Sequence, residues 1–290
     1  MTYIFVFLLL LAALYPVWVV HKQTRGSPET VQRTPKEWGA EYEDISYLTL
    51  DGLTLRGWMV PAGGEKAVLL LHGNGGSRNG FSSGIFDLGE WYHKEGYSVM
   101  MVDLRAHGES EGDRIYFGIK ESEDMAGWVG EIDPSGRFSW TLHGFSMGAV
   151  TALMMKEREP KRFEKVVADA PWIDFEMLSK QELWRRGHLP PLFYGYVKFI
   201  AWLLFDIDFK RADNRRRCEE LCGSEILYIF ESDDRLVTKE HPRKLRRICP
   251  KAEIAEFEGV GHVEAFKERP KLYTERLLAF LRRRSVAVRS

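Results

Sequence analysis

Phe138-Ser139-Trp140-Thr141-Leu142-His143-Gly144-Phe145-Ser146-Met147-Gly148-Ala149-Val150-Thr151 decides how the rest of the sequence is read. The apolar run ending at Leu142 suits a buried strand, and Ala149–Lys156 suits a helix. Between them stands Gly144-x-Ser146-x-Gly148. Alone that pattern is weak, because glycine and serine at an average usage of about 7% each produce it in roughly one chain in ten of this length. The strand before it and the helix after it make it specific. Flanking glycines let the chain turn sharply and leave Ser146 exposed at a helix N-terminus, where N–H groups and the dipole favour negative charge. The plain alternative is an ordinary glycine-rich strand-to-helix turn.

Outward from this segment, strand and helix patterns alternate. Residues 41–50 and 53–60 read as strands flanking Asp51-Gly52, a hairpin-turn dipeptide. Compact apolar runs follow at Ala67–Leu71, Tyr97–Leu104, Phe138–Leu142, Val166–Ala168, Ile226–Phe230 and Ala252–Phe257, as in parallel strands buried on both faces. Helical patterns lie between them at about 81–95, 119–130, 147–158, 238–248 and 264–283. This alternation predicts an α/β fold, a mostly parallel sheet with an antiparallel N-terminal hairpin and helices on both faces. No strand pattern occurs between Trp172 and Arg217, where aromatics are dense; a helical cap insertion at about 173–217 is expected there.

Leu71-His72-Gly73-Asn74-Gly75-Gly76 directly follows the strand Ala67–Leu71. A glycine-rich turn there can bring a backbone N–H beside Ser146, and a tetrahedral acyl intermediate needs two such donors. Asn74 and Met147 are the candidates. A phosphate-binding loop is the competing reading, but no Gly-Lys-Ser/Thr follows and no G-x-G-x-x-G register is completed. A serine hydroxyl also needs a base, and the base needs an orienting acid. Of eight histidines, His72, His107 and His143 sit in strand-end motifs and are read as loop-holding. His21, His93, His188 and His241 lack motif context. His262, in Gly259-Val260-Gly261-His262, follows the last strand and is the expected base. Ile226–Phe230 leads into Glu231-Ser232-Asp233-Asp234; Asp234 is the preferred acid, with Asp233 next and Asp169, one strand earlier, third.

The order Ser146, Asp234, His262 and the motifs around it resemble the α/β-hydrolase superfamily from about Glu41 to Arg284. Asp103-Leu104-Arg105-Ala106-His107-Gly108-Glu109-Ser110 is similar to the family's D-x-R-G-x-G-x-S loop, with Ala106 in place of a common glycine. Asp234-Arg235-Leu236-Val237-Thr238 resembles its D-x-x-V-P segment, with Thr238 in place of proline. The nearest-looking branch joins serine-aminopeptidase-like and monoacylglycerol-lipase-like domains with membrane-anchored members. The resemblance implies a serine hydrolase without cofactor. The expected substrate is a small-molecule or lipid-like ester, thioester or amide, and an anchor beside an aromatic-rich cap would suit a lipid-like acyl substrate approached from the bilayer. The rival expectation is a non-catalytic protein of this fold that binds a lipid or a partner at the membrane. Dehalogenation would need an aspartate at the elbow, where this chain has Ser146.

From Tyr3 to Val20 every residue except Pro16 is apolar or aromatic, and none is charged. Such a run is just long enough to span a bilayer, and bulky residues follow it where a signal peptide would carry a small-residue cleavage site. Residues 1–22 are expected to be a single-pass transmembrane anchor, 23–40 a linker, 41–284 the catalytic domain and 285–290 a tail. Lys22, Arg25, Arg33 and Lys36 follow the run and weakly favour a cytoplasmic domain. The three cysteines, Cys218, Cys222 and Cys249, read as reduced thiols, which leans the same way. Cys218 and Cys222 could share a helical face, but no second pair completes a zinc site, so no metal is expected. With 41 Lys+Arg against 42 Asp+Glu there is no basic excess for nucleic acid. The basic clusters Arg215–Arg217 and Arg282–Arg284 read as solvated surface. At 290 residues with 44% hydrophobic content the chain has ample core for a large domain.

Overall fold

The computed structural model describes residues 2–80 and 83–283, apart from the side chains of residues 2 and 4–12. The tail at 285–290 and Arg284 lie outside them. The apolar runs become strands β1 (Glu43–Leu48), β2 (Thr54–Val60), β3 (Lys66–Leu71), β4 (Ser98–Val102), β5 (Ser139–Phe145), β6 (Phe163–Asp169), β7 (Ile226–Glu231) and β8 (Glu253–Phe257). They form one sheet in the order β8-β7-β6-β5-β3-β4-β2-β1. The strands β3 to β8 are mutually parallel. β2 runs antiparallel to both neighbours, β1 and β4. The Asp51-Gly52 turn closes the hairpin, with the Gly52 N–H donating to Thr49 O at 3.0 Å.

Helices cover both faces. They are α1 (Thr2–Gln23), α2 (Ile85–Lys94), α3 (Ile119–Ile132), α4 (Met147–Arg158), α5 (Phe175–Gly187), α6 (Tyr194–Phe205), α7 (Arg215–Glu220), α8 (Glu240–Ile248), α9 (Ala265–Glu268) and α10 (Pro270–Leu281). Alternation along the strands divides the core in two. Ala67, Leu69, Leu71, Met100, Leu142, Val166 and Tyr228 pack toward α3 and α4. Val68, Leu70, Met101, Phe145, Val167 and Leu227 pack toward α2 and α10. Both faces are therefore buried, which is why the central strands are continuous in apolar residues rather than alternating with polar ones. Each fully buried Leu or Val contributes about 1.5–3 kcal/mol, so the sheet is a rigid platform for what its edge carries.

The stretch after β6 holds α5, α6 and α7 and no strand. Residues 23–40 lie against the domain surface. Ser27 N–H donates to Ala106 O (2.8 Å) and Glu29 N–H to Gly108 O (3.0 Å), and Arg33 pairs with Asp87 at 3.0 Å. The last turns of α1 are packed into the molecule, Val19 and Val20 being buried with Leu183, Val197 and Ala201. Among the described residues no helix is long and apolar enough to cross a membrane. Much of the expected anchor, the side chains at 4–12, falls outside those residues.

The cysteines correct an expectation. Cys222 and Cys249 form a disulfide, with Cα atoms 5.5 Å apart, and only Cys218 is a free, buried thiol. Folding brings the end of α7 beside the end of α8, a proximity that a spacing of 27 residues does not announce. The reduced-thiol argument for a cytoplasmic domain is thereby removed.

Candidate active site

Every site residue singled out in the sequence sits at the carboxyl edge of the sheet. Ser146 follows β5 and caps α4 with φ 52°, ψ −112°, a conformation that L-residues rarely adopt. The reason lies in the neighbouring glycines. A Cβ on Gly144 would collide with the Gly148 carbonyl, and one on Gly148 with the carbonyls of Leu71 and His72. The elbow is pressed so tightly between β3 and β5 that only glycine fits on either side of Ser146.

His262, in the loop after β8, places Nε2 2.9 Å from Ser146 Oγ. Its Nδ1 lies 2.6 Å from Asp234 Oδ2, in the loop after β7. The other Asp234 oxygen accepts the N–H groups of Leu236 (2.7 Å) and Val237 (2.8 Å). Burial pushes the Asp234 carboxyl up, but the His262 hydrogen bond and charge, with those two N–H groups, outweigh it and hold it below the ordinary range. Asp234 thus stays an anion, and an anion at Nδ1 fixes the tautomer whose free Nε2 faces the hydroxyl. The other two candidate acids point elsewhere. Asp233 is exposed and accepts from Ser232 Oγ; Asp169 Oδ2 accepts from the Tyr273 hydroxyl at 2.6 Å.

Gly73 abuts the elbow, its would-be Cβ 3.2 Å from both Phe145 O and Ser146 Cβ, so the turn bearing Asn74 lies beside the serine. Gly75 N–H donates to His107 Nε2 (3.1 Å), and His107 Nε2 also lies 3.2 Å from Asn74 Oδ1. Met147 N–H opens α4 at the foot of the same turn. His72 Nε2 accepts from Leu104 N–H at 2.9 Å. Burial lowers the pKa of both His72 and His107 to about 4, so they act as neutral splints. His143 is likewise held neutral by burial, its pKa lowered to about 3, between the hydroxyls of Tyr92 and Tyr273.

Residues 66–193 match the family described as alpha/beta hydrolase fold. An esterase of Pyrococcus furiosus superposes with a TM-score of 0.72 at 27% identity, covering 90% of this chain and 98% of that one. The chain has the α/β-hydrolase fold, and these matches support its place in that superfamily. It is an enzyme of that fold, with hydrolase chemistry of the α/β-hydrolase kind. A polyketide transferase of Stachybotrys chlorohalonatus is 26% identical over 83% of this chain and 97% of its own. An uncharacterized membrane protein of Saccharomyces cerevisiae is 25% identical over 84% of this chain and 78% of its own.

Two structural roles in this α/β-hydrolase were not read from its sequence. The Asp103–Ser110 loop is a scaffold: Asp103 accepts from Arg78 N–H (2.7 Å) and Glu109 N–H (2.9 Å) and pairs with the Arg78 guanidinium. Arg105 grips Asp124 through two hydrogen bonds of 2.7 and 2.8 Å. The second is a buried carboxyl pair behind the site. Asp169 and Glu231, at the ends of β6 and β7, face each other. Asp169 Oδ1 and both Glu231 oxygens meet no donor from other described residues. Two carboxyls so placed must share a proton. Burial pushes Asp169 up to about 6, and burial with the Asp169 charge pushes Glu231 well above the usual carboxylate range. Asp169 O also accepts the Ser146 N–H at 2.8 Å, so the pair underlies the elbow itself. In the sequence the pair is marked only by the acidic run Glu231-Ser232-Asp233-Asp234 after Phe230.

Proposed function

We propose that the chain is a serine hydrolase that cleaves a carboxylic ester, thioester or amide through an acyl-enzyme. Ser146 is the nucleophile, His262 the base and Asp234 the acid that orients it. Backbone N–H groups of Asn74 and Met147 stabilise the oxyanion. The single observation carrying this reading is the continuous relay from Ser146 Oγ to His262 Nε2 at 2.9 Å and from Nδ1 to Asp234 at 2.6 Å. As Oγ attacks the carbonyl carbon, its proton passes to Nε2, and the charge that appears on the imidazole is met by Asp234. The proton then goes to the leaving group, and water repeats the sequence to free the acid. The relative named as a polyketide transferase supports a second outcome of the same acyl-enzyme, transfer to a nucleophile other than water.

In this reading residues 41–284 are the catalytic domain, the segment at 173–217 is a cap over the site, and the chain is attached to a membrane through its N-terminal helix. The uncharged Tyr3–Val20 run and the yeast relative described as a membrane protein support the attachment. The test of the chemistry is hydrolysis of short p-nitrophenyl esters. Ser146→Ala is expected to lower kcat by about 10⁴-fold or more with the fold intact, as removal of a triad nucleophile does. Equal turnover by the variant overturns the reading.

A further inference from the structure

The helix α6, Tyr194-Gly195-Tyr196-Val197-Lys198-Phe199-Ile200-Ala201-Trp202-Leu203-Leu204-Phe205, carries one charge in 12 residues. Its inner stripe, Tyr194, Val197, Ile200 and Ala201, is buried against Val19 and Val20 of α1 and Leu183 of α5. That accounts for half of its circumference. Apart from Lys198 the other half is also largely apolar, and it faces outward: Phe199 is 52% exposed, Trp202 61% and Leu203 55%. A helix apolar all round belongs in a protein interior or in lipid. A contiguous apolar surface of this kind marks an interaction site.

The outer face of α1 continues the patch. Leu14 and Trp18, one turn apart, are 61% and 52% exposed. The Tyr196 hydroxyl donates to Ala13 O at 3.1 Å, so the outer stripe of α6 adjoins α1 directly. The Tyr15 hydroxyl donates to Gly187 O at 2.9 Å, fixing α1 to the end of α5, where Trp184 is also exposed. Cations stand among these aromatics. Lys22 lies over the Trp18 ring at 5.0 Å, Lys198 lies in α6, and Arg185 and Arg186 share Glu182. Tryptophan and tyrosine beside basic residues is the composition of a surface at the headgroup level of an anionic bilayer.

We propose that α6 and the second half of α1 form a membrane-docking face that seats the cap in the headgroup–acyl boundary of an anionic lipid bilayer. The proposal rests on the reading of α1 as the membrane attachment, and α1 also identifies the occupant. Its last turns are buried in the domain, and Thr24, immediately after, is bound to it: Ile115 N–H donates to Thr24 O (2.8 Å) and Arg114 Nη1 to Thr24 Oγ1 (2.9 Å). No spacer separates α1 from the cap. A bilayer that takes up the uncharged residues before Ala13 therefore reaches α6 as well. Helix α5 links this face to the site, because the Gln181 side chain donates to Arg235 O beside Asp234 at 2.7 Å. An acyl substrate dissolved in the bilayer is thus presented at the cap rather than through bulk water.

The test labels full-length protein at Leu203→Cys with an environment-sensitive nitrobenzoxadiazole probe. Labelling is selective because Cys218 is buried and Cys222 and Cys249 are bonded to each other. Leu50→Cys, in the fully exposed hairpin turn, is the control. Labelled proteins are floated with phosphatidylcholine vesicles with and without phosphatidylglycerol, and short-ester hydrolysis confirms that each is folded. The expected result is flotation favoured by phosphatidylglycerol, with a blue shift and a several-fold rise in emission at position 203 and neither at position 50. Flotation with an unchanged probe at 203 overturns the docking face while leaving the α1 attachment intact. Absence of flotation overturns both. A blue shift at 203 that grows with protein concentration without lipid assigns the face to a second copy and overturns the proposal.

Discussion

Single residues show how closely backbone conformation and chemistry are tied in this hydrolase. Ala106, where the family's loop commonly has glycine, sits at φ 62°. A left-handed conformation costs an L-residue about 1–2 kcal/mol, partly offset by the greater chain entropy of glycine. Ala106→Gly is expected to raise stability by about 0.5–1 kcal/mol, read as a rise of about 1–3 °C in Tm by calorimetry; a fall in Tm contradicts that account. The Asp169–Glu231 pair gives a pH dependence. Carboxyls whose pKa is raised on folding bind more protons in the folded than in the unfolded state. Their effect is therefore to lower stability as pH rises past the unfolded value. Asp234 is shifted the other way, so its contribution is lost only as pH falls below the unfolded carboxylate value. Glu231→Gln keeps one partner permanently neutral, so its Tm relative to wild type is expected to rise from pH 5 to pH 8. A difference that is flat or shrinks with pH contradicts a shared proton.

Among the elements, the strands and the elbow were legible because their causes are local. Doubly buried strands require continuous apolar runs, and the Gly144-Phe145-Ser146-Met147-Gly148 turn requires glycine where β3 and β5 approach. Elements joined by long-range pairing left no such trace. Nothing near Cys222 or Cys249 predicts their bond, and the composition of 23–40 does not disclose that Ser27 and Glu29 pair with the Ala106–Gly108 strip. The disulfide closes a loop of 27 residues between α7 and α8. Chain-entropy reasoning assigns such a closure about 3–4 kcal/mol. The Cys222→Ala/Cys249→Ala variant is expected to lose that much in denaturant unfolding, with kcat on short esters unchanged because both positions lie away from Ser146. Loss of less than about 1 kcal/mol removes the bond from any account of stability.

At the scale of the whole molecule, the sheet carries residues separated by 116 positions, Ser146 and His262, to one edge and holds them at hydrogen-bond distance. The order of the triad candidates was readable because each follows a strand, and a parallel sheet places all strand ends on one rim. The preference for Asp234 over Asp233 and Asp169 had no local cause to rest on, since all three stand at or just past strand ends and only the loop after β7 turns Asp234 toward His262. The most direct measurement is the site and rate of phosphonylation of the full-length protein by a fluorophosphonate, followed by intact mass and peptide mapping. The account predicts a single adduct, on Ser146, forming about 10³-fold or more slowly in His262→Gln, consistent with the loss of a general base. An adduct on another residue, or His262→Gln reacting as fast as wild type, would contradict it.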